Sequence, residues 1–215
     1  MMQVFISHSK KDSDLVNRVK AALGVMDFPS IVYEDLPNDT STPDYKRIKS
    51  LIQNADIVFL FLTKNVALSN WTTYWVDHEV SLASAFDKPM VVFQVEGEKP
   101  LLPIGYFTDV VIVSRDPTQQ IIVVQRIAKQ LGKTDIWPIG ALGGAAVGAL
   151  LGPVGLILGA LIGGVAASDT GKTTFKKLKC QKDKIEFRFW GGEGNTFFCP
   201  HCLREYELGR GEDRR

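Results

Sequence analysis

Apolar positions along this chain change period at regular intervals, from unbroken runs to every third or fourth residue and back. Gln3 to Ser7 is apolar and β-branched, the mark of a strand buried on both faces. Asp12 to Leu23 sets Leu15, Val16, Val19 and Leu23 at helix spacing, and Gly24 offers a stop. Ser30 to Tyr33 predicts a second strand. Asp35 to Pro43, with two prolines and several short polar residues, predicts a loop. Asp44 to Gln53 is expected as helix, Asp56 to Leu62 as a strongly apolar strand, and Trp71 to Phe86 as helix. Met90 to Val95 and Val110 to Val113 are further strands, and Thr118 to Leu131 is a helix closed by Gly132. Such alternation implies an α/β fold, a parallel sheet with helices on both faces. Ligands of these sheets collect at the carboxyl ends of the strands, near the switch in strand order.

The pattern breaks after Gly132. From Ile136 to Ser168 there is no charge, and glycines recur every fourth residue in two ladders. Gly140, Gly144, Gly148 and Gly152 form one; Gly155, Gly159 and Gly163 form the other. On a helix each ladder lies on one face, where a second backbone can approach closely. Gly152-Pro153 interrupts the phase, so residues 136–168 are expected as a helical hairpin. Each leg is about 20 Å long at about 1.5 Å per residue, short of a bilayer core of about 30 Å. Three arrangements stay open: the hairpin dips into one leaflet, oligomerises in a thinned patch, or runs through as one kinked helix. Lys129 and Lys133 before it, and Lys172, Lys176, Lys177, Lys179 and Lys182 after it, favour both ends on the cytoplasmic side, against anionic lipid. A soluble glycine-rich hairpin packed on a partner is the alternative.

In the tail, residues 172–210, Lys184 to Trp190 predicts a strand and Gly191 to Asn195 a turn. Thr196 to Phe198 then leads into Cys199-Pro200-His201-Cys202. The CxxC pair supplies half a zinc site, with Cys180 a candidate third ligand and no evident fourth. A metal-free hairpin with buried thiols is the competing reading. Thr170-Gly171-Lys172-Thr173 is not a P-loop, because the position five before Gly171 is Ala166 and no strand precedes it.

Composition narrows the setting. A net charge of +1 over 215 residues does not advertise nucleic acid. Three cysteines, an odd number, argue against a secreted disulfide framework, and Met1 to Ile6 lacks the basic start of a signal peptide. A reducing, cytoplasmic location is expected, with the hairpin at a membrane.

Three stretches together resemble a TIR domain. Val4-Phe5-Ile6-Ser7-His8-Ser9-Lys10-Lys11-Asp12 is similar to the family's opening strand and loop in its prokaryotic form. Asp56-Ile57-Val58-Phe59-Leu60-Phe61-Leu62-Thr63 is similar to its central strand. Ser69 to Glu79, with Trp75 four residues before Glu79, resembles its tryptophan-to-glutamate helix. The likeness covers residues 1–132 and implies a flavodoxin-like, five-stranded parallel sheet. In the catalytic branch it implies cleavage of NAD+ at the nicotinamide–ribose bond.

That chemistry gives Glu79 a role. Breaking an N-glycosidic bond builds oxocarbenium character on the ribose, and a facing carboxylate stabilises that charge. Spacing alone leaves Glu79 open between a solvated helix residue and a pocket carboxylate; the resemblance makes it the catalytic candidate. Trp75, one turn earlier, would wall the pocket. His8, Ser9 and Lys10 leave the first strand at its carboxyl end, where a nucleotide belongs, with ordinary loop solvation as their alternative. The loop 35–43 lacks the glycine many TIR domains carry, which leaves substrate access and assembly geometry open. The function implied is an NAD+-consuming defence effector that self-associates through TIR and glycine-ladder surfaces. A non-catalytic adaptor and a TIR-controlled membrane disruptor are the alternatives.

Overall fold

The computed structural model describes residues 2–33, 45–132, 173–192 and 196–207. The hairpin expected at 136–168 and the loop at 35–43 lie outside these residues. Five strands form the parallel sheet expected: β1 (Val4–Ser7), β2 (Ser30–Ile31), β3 (Ile57–Phe61), β4 (Met90–Val95) and β5 (Asp109–Val113). Their spatial order is β2-β1-β3-β4-β5, so the chain reverses direction across the sheet between β1 and β3. The order and the parallel pairing make the fold flavodoxin-like.

Strand alternation sends side chains to two cores. Phe5, Val58, Leu60, Val92, Val110 and Ile112 face α2 (Tyr45–Asn54) and α3 (Asn70–Ala85), meeting Ile48, Ile52, Val76, Val80 and Ala83. Val4, Ile6, Ile57, Phe59, Phe61, Val91, Phe93, Val111 and Val113 face α1 (Ser13–Gly24) and α4 (Pro117–Gly132), meeting Val16, Val19, Leu23, Val124 and Ile127. Phe93 stacks on Phe61 at 4.8 Å and meets Phe59 edge-on at 5.0 Å. Each such buried side chain contributes roughly 1.5–3 kcal/mol, which explains why the strands are apolar runs and not alternating ones.

Helix ends use aspartate where glycine is the usual signal. Asp27 and Asp87 follow α1 and α3 with φ of 58° and 50°. Asp87 N–H returns to the Ser84 carbonyl and Lys88 N–H to the Ala83 carbonyl, satisfying groups the last turn leaves open.

The tail continues this sheet. β6 (Thr173–Lys179) and β7 (Glu186–Gly192) form an antiparallel hairpin, and β7 pairs parallel with β5, giving seven strands ending β5-β7-β6. β8 (Thr196–Phe198) and β9 (Glu205–Glu207) form a separate two-stranded ladder. Phe187, Phe189, Phe197, Cys180 and Cys199 join the same core as Val92, Phe107 and Val110. Strand β6 was hidden in the sequence by its lysines. As the outermost strand it presents unpaired backbone, and Lys177 and Lys179 stand exposed along it, the charge that discourages further strand pairing. β7 runs two residues past its expected end. Gly191 is needed there because the Phe189 ring lies 2.5 Å from where a Cβ would stand.

Candidate functional site

The carboxyl ends of β1 and β3, flanking the switch in strand order, gather most of the buried polar side chains. Ser7 ends β1 on the same face as Phe5, the face that α3 covers. Its hydroxyl donates to Glu79 Oε2 at 2.5 Å. Both residues are nearly sealed, Ser7 at 1% and Glu79 at 8% exposure. Glu79 reaches the strand end because it lies on the buried stripe of α3 with Val76, Val80 and Ala83. The helix is started by Ser69, whose side chain accepts from Thr72 N–H.

A second carboxylate serves the opposite face. Asp12, just before α1, accepts from Thr63 Oγ1 at 2.6 Å and Asn65 Nδ2 at 2.5 Å. This ties the loop after β1 to the loop after β3.

The other candidates are placed unevenly. Ser9 is buried, and its hydroxyl accepts from Lys11 N–H at 3.4 Å, capping a single 3-10 turn at Lys10–Asp12. His8 is half-buried between Ser7 and Ser9; Lys10 is exposed. Trp75 belongs to an aromatic group: its ring lies 6.0 Å from Tyr45, 5.6 Å from Trp71, 5.4 Å from Tyr74 and 5.9 Å from His78. Thus the structure brings Glu79 to the end of β1, beside His8 and Ser9, and sets Trp75 in the wall towards α2.

His78 faces away from Glu79. Its ring stacks on Tyr45 at 3.7 Å, the Tyr45 hydroxyl lies 2.7 Å from Nδ1, and burial pulls its pKa below the ordinary 6.5. A hollow of about 360 Å³ beside it is lined by Tyr45, Tyr74, Asp77, His78, Val80, Ser81 and Gly105. This hollow lies on the outer flank of α3 and does not include Glu79. We place the site by the strand ends, where the buried polar groups converge, and not by this hollow. Sequence reasoning passed over Ser7, Asp12, Thr63 and Asn65. A serine closing an apolar strand, on the face of the candidate glutamate, was the available signal.

In the tail the three candidate metal-binding cysteines do converge. The sulfurs of Cys180, Cys199 and Cys202 all lie within 4.8 Å of one another, and none is in a disulfide. Burial pushes the Cys199 thiol up to about 12. Burial also opposes ionisation of Cys180, but hydrogen bonding from the backbone of Asp183 and Lys182 and from the Cys202 and Cys199 thiols together outweighs it and lowers its pKa. His201 does not join the sulfurs directly: Nδ1 lies 3.1 Å from the Ile104 carbonyl and Nε2 contacts Asp183.

The TIR domain family matches residues 4–122, and the chain belongs to that family. Among solved structures it is similar to the TIR domains of the activated Roq1 resistosome, at 18% identity and a TM-score of 0.36. That match covers 45% of this chain and 60% of the other, so this chain spans less than two thirds of that relative. It is also similar to a CMP N-glycosidase, BcmB, of Clostridium botulinum, at 15% identity and a TM-score of 0.41, covering 59% of this chain and 98% of that one. Comparison with curated proteins found no match. Among the described residues, no helix is long and apolar enough to cross a membrane.

Proposed function

We propose that this TIR domain cleaves NAD+ at the nicotinamide–ribose bond, with Glu79 as the catalytic carboxylate. The observation that carries the reading is the buried Ser7–Glu79 hydrogen bond at the carboxyl end of β1, beside the switch in strand order where nucleotides bind in such sheets. Nicotinamide departs with the electrons of the glycosidic bond. The ribose carbon becomes positive, and the Glu79 carboxylate faces that charge in a site poor in water, where it is worth most. The Ser7 hydroxyl fixes the Glu79 rotamer, so no reorganisation is needed as charge develops. Water, or an internal adenine nitrogen, then takes the carbon. His8 and Lys10 line the approach to the strand end, Lys10 as a partner for the pyrophosphate.

Self-association fits the same reading. A neighbouring copy can complete what one chain leaves open. The charge-free glycine ladders of residues 136–168 support crowding of TIR domains, at a membrane surface in our reading, in the service of cellular defence. The test is release of nicotinamide from NAD+ by concentrated protein, with and without liposomes. Turnover that disappears in Glu79→Gln is the expected result. Equal turnover in that variant overturns the assignment.

A further inference from the structure

The chain ends in two hairpin tips that repeat one another. At the first, Cys180 N–H donates to the Ile185 carbonyl at 2.8 Å and Lys184 N–H donates to the Cys180 carbonyl at 2.9 Å. At the second, Cys199 N–H donates to the Arg204 carbonyl at 2.9 Å and Leu203 N–H to the Cys199 carbonyl at 2.9 Å. Lys184 and Leu203, the fourth residues after each cysteine, are both left-handed, with φ of 62° and 57°. Three features therefore fall at the same offsets from each cysteine.

This repetition assigns the partner that the sequence did not reveal. Matching the tips position by position sets Cys180 on Cys199 and Asp183 on Cys202. We propose that Cys180, Cys199, Cys202 and Asp183 form a structural zinc site with three thiolates and one carboxylate. Tetrahedral zinc with Zn–S bonds of about 2.3 Å holds sulfurs about 4 Å apart, a small contraction of the cluster present.

His201 is the second-layer partner and not a ligand. Its ring is anchored to the Ile104 carbonyl through Nδ1, while Nε2 contacts the Asp183 carboxylate. Asp183 stands outside the group of sulfurs that lie within 4.8 Å of one another, so in the proposed site its free oxygen moves in to the metal while Oδ2 stays with His201, the arrangement that commonly orients a metal-bound ligand. Asp183 is 37% exposed, so the fourth position closes the site from the solvent side. The site also locks the tail to the sheet. Ile104 N–H donates to the Pro200 carbonyl inside the second tip, and Gln94 on β4 donates to the Phe198 carbonyl.

The test uses the full chain, purified under reducing conditions without chelator. Elemental analysis is expected to find one zinc per chain. After zinc removal, Co²⁺ added to the reduced protein should give the visible bands of a tetrahedral site and thiolate charge-transfer absorption. Chelator competition should show Asp183→Ala binding zinc at least about tenfold more weakly than the parent. Asp183→Cys should bind more tightly and add charge-transfer intensity. Cys199→Ser is expected to unfold part of the tail, so the parent's metal content and the two Asp183 variants decide the matter. Absence of zinc together with no tetrahedral cobalt spectrum overturns the site. Parent-like affinity in Asp183→Ala removes Asp183 from it.

Discussion

Glu79 and Asp109 are both carboxylates withdrawn from solvent, at 8% and 1% exposure, yet they are held by different chemistry at opposite ends of the sheet. Glu79 meets the hydroxyl of Ser7 at the carboxyl end of β1. Asp109 opens β5, at the amino end of the strands. There Arg188 of β7 grips it in two places, Nε to Oδ1 and Nη2 to Oδ2, both at 2.6 Å. The Trp190 indole and the Thr108 hydroxyl donate as well, at 3.0 and 2.8 Å. A bidentate guanidinium makes Asp109 a fixture that joins the tail to the sheet. A hydroxyl at the end of β1 positions Glu79. The difference teaches that burial alone does not mark a working carboxylate. Its end of the sheet does.

The largest expected effect separates the two. Glu79→Gln keeps the shape and an acceptor for Ser7 but removes the charge. Nicotinamide release should fall by about 10²–10³-fold, the cost of losing one preorganised electrostatic group, with the melting temperature nearly unchanged. A fall in stability with activity retained would invert the comparison.

Arg188→Met is the converse. It leaves the Asp109 charge buried without its cation, a loss of about 3 kcal/mol. For a chain of this size that lowers the melting temperature by roughly 6–12 °C. NAD+ cleavage per folded molecule should be unaffected, because Arg188 lies at the amino end of the sheet. If thermal unfolding of the variant matches the parent, Asp109 and Arg188 do not fasten the tail.

Ser7→Ala tests whether the hydroxyl positions Glu79. Leaving a buried acceptor with one donor fewer costs about 1–2 kcal/mol. Turnover should drop about tenfold with little change in KM, since the loss is of carboxylate orientation. Ser7→Thr, which keeps the hydroxyl, should recover part of both. Equal turnover in parent and Ser7→Ala would reduce the bond to a packing feature.

These contrasts also show what was legible in the sequence. The apolar runs of β1, β3, β4 and β5 exposed the sheet, because a strand buried on both faces is nearly continuous in apolar residues, with Ser7, Gln94 and Asp109 the single exceptions in β1, β4 and β5. Spacing left the role of Glu79 open and the resemblance singled it out, while the aromatic surroundings of Trp75 were not legible. Its indole packs sideways with Tyr45, Trp71 and Tyr74, and contacts between helices are not written in the period of one helix. β6 was missed because Lys176, Lys177 and Lys179 break its alternation, and their positions on an edge strand follow only from pairing with β7. The convergence of Cys180 on Cys199 and Cys202 was anticipated by chemistry. The matching of Asp183 to Cys202 needed backbone hydrogen bonds that no residue type announces.

The smallest effect concerns His78, one residue from Glu79 but on the other flank of α3. Burial lowers its pKa below the ordinary 6.5, and the Tyr45 hydroxyl can donate to Nδ1 only while that nitrogen is unprotonated. Nε2 is buried with no hydrogen-bond partner among the described residues, so charging the ring gains nothing there. The unfolded chain therefore binds more protons than the folded one between the lowered pKa and about 6.5. Stability from this group is complete above that pH and declines as pH falls towards the folded value. Urea midpoints at pH 7.5, 6.0 and 5.0 should show a shallow decline that is reduced in His78→Gln. Nicotinamide release should have the same pH profile in both proteins, since the ring faces away from the carboxylate. An altered profile in the variant would bring His78 into the site and erase the distinction between the two flanks of the helix.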